Sequence, residues 1–191
     1  NDLDFAIVND INLWNTPKND ILIRDVIFLG HYDGNGLEIN NLNLLFRNDQ
    51  EAPNDPENFG LFNQVGLSQE DCTTYQIDES MAGGLFKNIN IHVEAYLSKT
   101  PTPNKAGILA GSIYNSTILN VNLSTTEGVS VKGKSLVGGL AGLILDDISS
   151  GKLNSKIIDI TAEGIAVRAT NENFAYVEGS FTNAYGMYKE F

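Results

Sequence analysis

With 191 residues, 42% of them apolar and 19% charged, the chain is long enough for one domain with a buried core and too apolar for a disordered acidic tail. It carries no run of about 18 apolar residues that would cross a membrane. Its 24 acidic against 12 basic residues, for a net charge of −12, and its scattered arginines Arg24, Arg47 and Arg168 exclude a phosphate-reading patch, so no nucleic-acid partner is expected.

The lone cysteine, Cys72, excludes an internal disulfide framework and any multi-cysteine metal site. The chain begins Asn1-Asp2-Leu3, with no initiator Met and no basic or apolar leader, and is read as a single domain, 1–191, cut from a larger exported protein. Asparagine is unusually frequent at 23 residues, and it is a poor helix former because its side chain competes for backbone hydrogen bonds.

Taken in chain order, the first clear element is Leu37-Glu38-Ile39-Asn40-Asn41-Leu42-Asn43-Leu44, whose alternation of apolar and polar residues predicts a strand. Just before it stands Asp33-Gly34-Asn35-Gly36. The run suggests part of a calcium loop, but Leu37 and Leu44 occupy its fifth and twelfth positions, where oxygen ligands are required. A tight turn using positive φ is the preferred reading. The acidic segment Asn48-Asp49-Gln50-Glu51-Ala52-Pro53-Asn54-Asp55-Pro56-Glu57 follows, then a glycine element, Phe59-Gly60-Leu61-Phe62.

That element is echoed by Gly83-Gly84-Leu85-Phe86, by Ala106-Gly107-Ile108-Leu109-Ala110-Gly111, by Val137-Gly138-Gly139-Leu140-Ala141-Gly142, and faintly by Val177-Glu178-Gly179-Ser180-Phe181. The period is roughly 20–35 residues. The better units carry a second strand pattern: Ile89-Asn90-Ile91-His92-Val93, Ile118-Leu119-Asn120-Val121-Asn122-Leu123 and Ile157-Ile158-Asp159-Ile160-Thr161-Ala162. A unit of two or three strands cannot bury its own apolar face, whereas units stacked on one another bury a continuous column. Glycine and asparagine at the corners supply positive φ, and stacked asparagines can bond along the axis. The expected fold is all-β: a right-handed parallel β-helix (solenoid) with inserted loops. A sandwich or propeller is the competing all-β arrangement, and the irregular glycine spacing disfavours it.

The glycine elements Val137–Gly142 and Ala106–Gly111, the latter followed by Ile118 to Leu123, resemble the GLUG repeat of bacterial adhesin-like surface proteins. That repeat also occurs in filamentous-haemagglutinin-type exoproteins and in the non-catalytic part of IgA-cleaving metallopeptidases. Phe28-Leu29-Gly30-His31-Tyr32-Asp33-Gly34-Asn35-Gly36 through Leu42 is similar to the segment that opens such arrays. The resemblance spans about residues 26–162 and is interrupted by Arg47 to Asn58, Leu67 to Ser80 and Leu97 to Lys105, and it fades after Gly164. It implies a β-helix with an adhesive or passenger role, located extracellularly or on the bacterial cell surface, and it assigns no catalytic residue.

The remaining candidates read more plainly as structure than as sites. The adjacent Asp146-Asp147 could sit at a coil edge, but neighbours on a strand point to opposite sides, so a corner pair is expected. His31 and His92, the only imidazoles, could pair with Cys72 as a thiol catalyst, yet Cys72 lies in a polar, loop-like stretch with nothing to activate it. Asn115-Ser116-Thr117 and Asn122-Leu123-Ser124 match the glycosylation sequon but lie within strand pattern. Tyr176, Phe181, Tyr185, Tyr188 and Phe191 are read as a cap over an open end.

The expected function is non-enzymatic. The chain would bind a host glycan or surface protein through loops on the solenoid; the acidic segments at 48–57 and at Gln69-Glu70-Asp71 could gather around a cation or a basic partner, but they read first as solvated loops that keep the protein soluble. No catalytic, cofactor or metal residue is expected. The alternatives are a carbohydrate-active β-helix (polysaccharide lyase or hydrolase), which needs several carboxylates converging in one groove, and a non-catalytic domain of a large secreted peptidase.

Overall fold

Alternating sequence becomes strand wherever one face can be buried. In the computed structural model, which describes residues 4–6, 11–12, 23–44, 56–96, 102–146, 148, 155–170 and 179–181, this holds for nearly every expected segment. The strands are β1 (Asp4–Ala6), β2 (Ile11–Asn12), β3 (Ile23–Phe28), β4 (His31–Leu44), β5 (Asn58–Phe59), β6 (Phe62–Val65), β7 (Leu85–Tyr96) and β8 (Lys105–Ala106). They continue as β9 (Ala110–Tyr114), β10 (Thr117–Thr125), β11 (Ser130–Gly133), β12 (Leu136–Val137), β13 (Ala141–Leu145), β14 (Lys156–Glu163), β15 (Ile165–Ala169) and β16 (Gly179–Phe181). The class is all-β, with parallel sheets and little helix.

The sheets are built from strands far apart in sequence. The first runs β1-β4-β7-β10-β14, with β2 also on β4; the second runs β3-β6-β9-β13; the third runs β5-β8-β12. Pairing within these three is parallel throughout. The chain visits third, second and first sheet in that order three times, as β5-β6-β7, β8-β9-β10 and β12-β13-β14. In the first sheet β7 pairs with β10 at an offset of 32 residues and β10 with β14 at 39, while β4 meets β7 at 54 before the bulge, as in His31 with Leu85, and at 52 after it, as in Leu37 with Ile89. A fourth sheet, β11-β15-β16, has β11 parallel to β15. There β16 runs antiparallel to β15, so the last glycine echo does not join the parallel stack.

Three of the glycine elements lie directly on one another at the corner between third and second sheets. Phe59 pairs with Ala106 and Ala106 with Val137. The backbone between the strands also bonds from pass to pass: Leu61 N–H to Ile108 O, Ile108 N–H to Gly139 O, and Leu109 N–H to Leu140 O, at 2.9–3.0 Å. A Cβ on Gly60 would come within 2.7 Å of the Ala110 backbone, so glycine here permits close stacking rather than an unusual dihedral.

The Gly83-Gly84 echo belongs elsewhere. It forms the corner between second and first sheets, where Leu85 N–H bonds Gly30 O and Thr117 N–H bonds Gly84 O. Placing two different corners in one series is what makes the repeat look shorter than it is.

The core follows from the alternation. Phe86, Ile89, Ile91, Val93, Ile118, Val121, Leu123, Ile160 and Ala162 from the first sheet meet Phe62, Val65, Ala110, Ile113 and Ala141 from the second. Where alternation breaks, an asparagine or aspartate takes left-handed backbone: φ is 55° at Asn88, 51° at Asn120 and 53° at Asp159, three stacked positions in β7, β10 and β14. This lets Phe86 and Ile89, three apart, both point inward. Of the seven non-glycine residues with positive φ among the described residues, all but Gln76 are Asn or Asp, because their short polar side chains tolerate that region best.

The Leu67–Ser80 interruption is more ordered than a projecting loop. It holds α1 (Gln69–Tyr75) and a 3₁₀ turn (Glu79–Met81). Ser68 caps α1, its hydroxyl accepting the Asp71 N–H while the Asp71 carboxylate accepts the Ser68 N–H. Cys72 faces inward, 3% exposed, in a small second core with Leu67, Ala82 and Ile148. The expectation of a polar loop around Cys72 is therefore corrected: one face of a short capped helix buries it. Most of the acidic segment at 48–57, along with Asp147, Tyr176, Tyr185, Tyr188 and Phe191, lies outside the described residues, as does the side chain of Phe181.

Candidate functional site

Among the described residues the first sheet has the most strands and the longest one, and its pleat sends every second side chain outward once the left-handed corner is passed. Inward go Ile89, Ile91 and Val93; outward go Asn90, His92 and Glu94. On β10 the outward residues are Asn122 and Ser124, and on β14 they are Thr161 and Glu163. Parallel in-register pairing turns these into rows across the sheet.

The first row is the corner itself. Asn120 Nδ2 donates to Asn88 Oδ1 and Asn88 Nδ2 donates to Asp33 Oδ1, each at 3.0 Å. Asp33 also receives the Asn35 N–H at 2.9 Å and stands 3.1 Å from Lys87 Nζ. The Asn35 N–H, then the Asn88 amide and the Lys87 ammonium, hold the Asp33 carboxyl below its ordinary range. Asp33-Gly34-Asn35-Gly36 has the expected positive φ, 55° at Asn35 and 75° at Gly36, but it is not a turn between strands: it lies within β4, where the pairing shifts between Asp33 and Leu37. It inserts a bulge into β4 and positions Asp33 as the end of the amide row.

The second row is Asn90, Asn122 and Thr161. Asn122 Nδ2 donates to Asn90 Oδ1 at 2.6 Å, the Thr161 hydroxyl donates to Asn122 Oδ1, and Asn90 Nδ2 reaches Gly36 O at 3.2 Å. The third is mixed. His92 Nδ1 lies 2.9 Å from Ser124 Oγ and Nε2 lies 3.2 Å from Thr126 Oγ1, while Thr126 donates to Glu94 Oε2 at 2.9 Å. The result is a flat, half-exposed field of amides, hydroxyls, one imidazole and carboxylates, fixed by bonds from strand to strand. A fixed array of alternating donors and acceptors can recognise a hydroxyl-rich or amide-rich chain laid along it without paying to order its own side chains.

The sequence candidates separate. His31 is exposed at the start of β4, opposite Leu85; His92 is in the outward field; Cys72 is buried behind α1. Asp146 is exposed and accepts the Ser155 N–H. Asn115 is 2% exposed, with φ 50°, and gives its amide to Leu67 O at 2.8 Å, so its sequon is spent on a corner; Asn122 is exposed but engaged in the ladder.

In the α1 insertion, Asp71 is half-buried. Burial pushes its carboxyl up, but the Ser68 hydroxyl, Gln64 amide and Ser68 N–H outweigh that and leave it below its ordinary range. Tyr75 and Met81 are 56% and 57% exposed on this insertion, and Glu57 pairs with Lys105 at 2.8 Å in the preceding one. Among the described residues no three His, Cys, Asp or Glu side chains are arranged to hold a metal ion, and no helix is long and apolar enough to cross a membrane.

No family model, curated protein or solved structure matches this chain.

The outward field was not singled out in the sequence. The signal was present in the alignment of Asn88-Ile89-Asn90-Ile91-His92 with Asn120-Val121-Asn122-Leu123-Ser124, which places His92 beside Ser124.

Proposed function

We propose that the three circuits are coils of a right-handed parallel β-helix, and that the chain is an adhesin-like binding segment of a bacterial surface or secreted protein. The observation that carries this reading is the column of glycine elements Phe59–Phe62, Ala106–Gly111 and Val137–Gly142, paired residue for residue. Their resemblance to the GLUG repeat supports the surface assignment, and the polar field of the first sheet supports a binding role. A host glycan or surface protein would engage that field together with the segments that interrupt the coils. Such segments can vary without disturbing the stack, because each coil is held by its neighbours.

Glycan-array binding and adherence to host cells test the reading. The purified chain is expected to bind a defined subset of neutral glycans or a cell-surface protein. Asn122→Arg, which sets a long cation into the field, should weaken binding at least tenfold while leaving the far-UV spectrum unchanged. No binding above that of an unrelated β-rich protein on either assay would refute the adhesive reading.

A further inference from the structure

The third row of the outward field has an internal logic that a purely structural ladder does not require. Thr126 has one hydroxyl hydrogen, and it is donated to Glu94 Oε2. Its contact with His92 Nε2 at 3.2 Å must then be one in which the imidazole donates. A neutral imidazole protonated on Nε2 carries its lone pair on Nδ1. In the neutral ring the 2.9 Å contact between Nδ1 and Ser124 Oγ is then a hydroxyl donating to a base.

We propose that Ser124 is a base-activated nucleophile toward carboxylic esters, with His92 as its general base and Thr126 and Glu94 as positioning residues that hold the base in the competent tautomer. The arrangement has the three parts such a centre needs: a hydroxyl, a base within hydrogen-bond reach, and an acidic group orienting the base, here through an intervening hydroxyl.

In the reaction, Ser124 Oγ attacks the ester carbonyl carbon as its proton passes to His92 Nδ1. The bond from carbonyl carbon to alkoxy oxygen breaks, and the departing alcohol takes that proton, leaving acyl-Ser124. Water then attacks the acyl carbon with His92 again taking a proton; the bond to Oγ breaks and the proton returns to Ser124. Ester and water become acid and alcohol, with no redox partner. Asn122, two residues before Ser124 on the same face, gives one amide hydrogen to Asn90 Oδ1, and the second hydrogen of that amide is of the kind that can meet the developing oxyanion.

Ser124, His92, Thr126 and Glu94 are each only half-buried on a flat sheet, so the substrate class is an ester displayed on an extended chain rather than one swallowed in a pocket. Glu163 stands opposite Ser124 on β14 and Glu94 lies behind His92, so the two carboxylates favour a neutral acyl group, such as a small acyl ester on a hydrophilic polymer, over an anionic one.

The test uses the intact chain, a fluorophosphonate probe with peptide mapping, and p-nitrophenyl acetate turnover. Ser124 is expected to be the labelled serine, with label and turnover abolished in Ser124→Ala and reduced by roughly 10²-fold in His92→Gln. Thr126→Val should reduce labelling and Thr126→Ser restore it, a rescue that mere packing would not produce. On the unmutated protein, carbethoxylation of His92 should protect Ser124 from the probe. Label spread evenly over the serines, or Ser124 labelling unchanged after His92 is substituted or modified, would overturn the proposal. Either result leaves the binding reading standing.

Discussion

Replacing Gly66 with alanine is expected to destabilise the fold by about 2–5 kcal/mol, a large share of the ~5–15 kcal/mol that holds a typical domain. Gly66 stands where β6 ends and the α1 insertion begins, with φ +78°, and its N–H bonds Phe28 O at 2.9 Å in the pass before. A Cβ there would run into Tyr114 O and Ser116 Oγ of the pass after. It would therefore meet both the left-handed dihedral penalty and a backbone wall. Gly128→Ala is the control, since φ is +83° there but nothing lies within 4 Å of the added methyl. Only the dihedral term, about 1–2 kcal/mol, should appear. Urea unfolding of the two variants separates dihedral from collision; equal losses would mean that Gly66 is not wedged between neighbouring passes.

Phe86→Ala should cost about 3–5 kcal/mol and lower Tm by roughly 10 °C. Phe86 is 0% exposed and is one of the residues through which the first and second sheets pack. It stacks on Tyr32 at 4.6 Å within the first sheet, and meets Phe62 at 5.9 Å and Phe28 at 6.3 Å edge-on from the second. Removing the ring empties a space that rigid strands on two sides cannot close. Phe86→Leu should recover more than half of the loss in a thermal melt. A small effect of Phe86→Ala would place the aromatic cluster outside the core.

Strand positions and corner chemistry were legible in the sequence because both are local. Alternation in Ile89–Val93 and Ile118–Leu123 reports one buried face, and Asn88, Asn120 and Asp159 interrupt it where left-handed backbone is needed. What was not legible depends on register. Gly83-Gly84 resembles Gly138-Gly139 in composition, yet the two serve different corners, and only the pairing of Leu85 with Thr117 and of Ala106 with Val137 tells them apart.

The short helix α1 carried its own signal in Ser68-x-x-Asp71, a capping box set within an acidic stretch that hydropathy alone assigns to solvent. Its inward residue, Cys72, packs with Leu67 and Ala82 nearby and with Ile148, 76 positions away (148 − 72), for which no local pattern speaks. For the same reason the row joining His92, Ser124, Thr126 and Glu94 has no local signature, since it exists only when β7 and β10 lie side by side.

Stacked, in-register passes are tested most directly by cysteine cross-linking across the outward face of the first sheet, in a Cys72→Ala background. The pair Asn90→Cys with Asn122→Cys places thiols on directly opposed residues of neighbouring parallel strands, about 4.8 Å apart, within the separation a disulfide spans. Mild oxidation should join this pair within minutes, and equally the pair Asn122→Cys with Thr161→Cys. The pair His92→Cys with Asn122→Cys, shifted by two residues, should stay largely reduced. Failure of the in-register pairs, or equally fast closure of the shifted one, would contradict the stack.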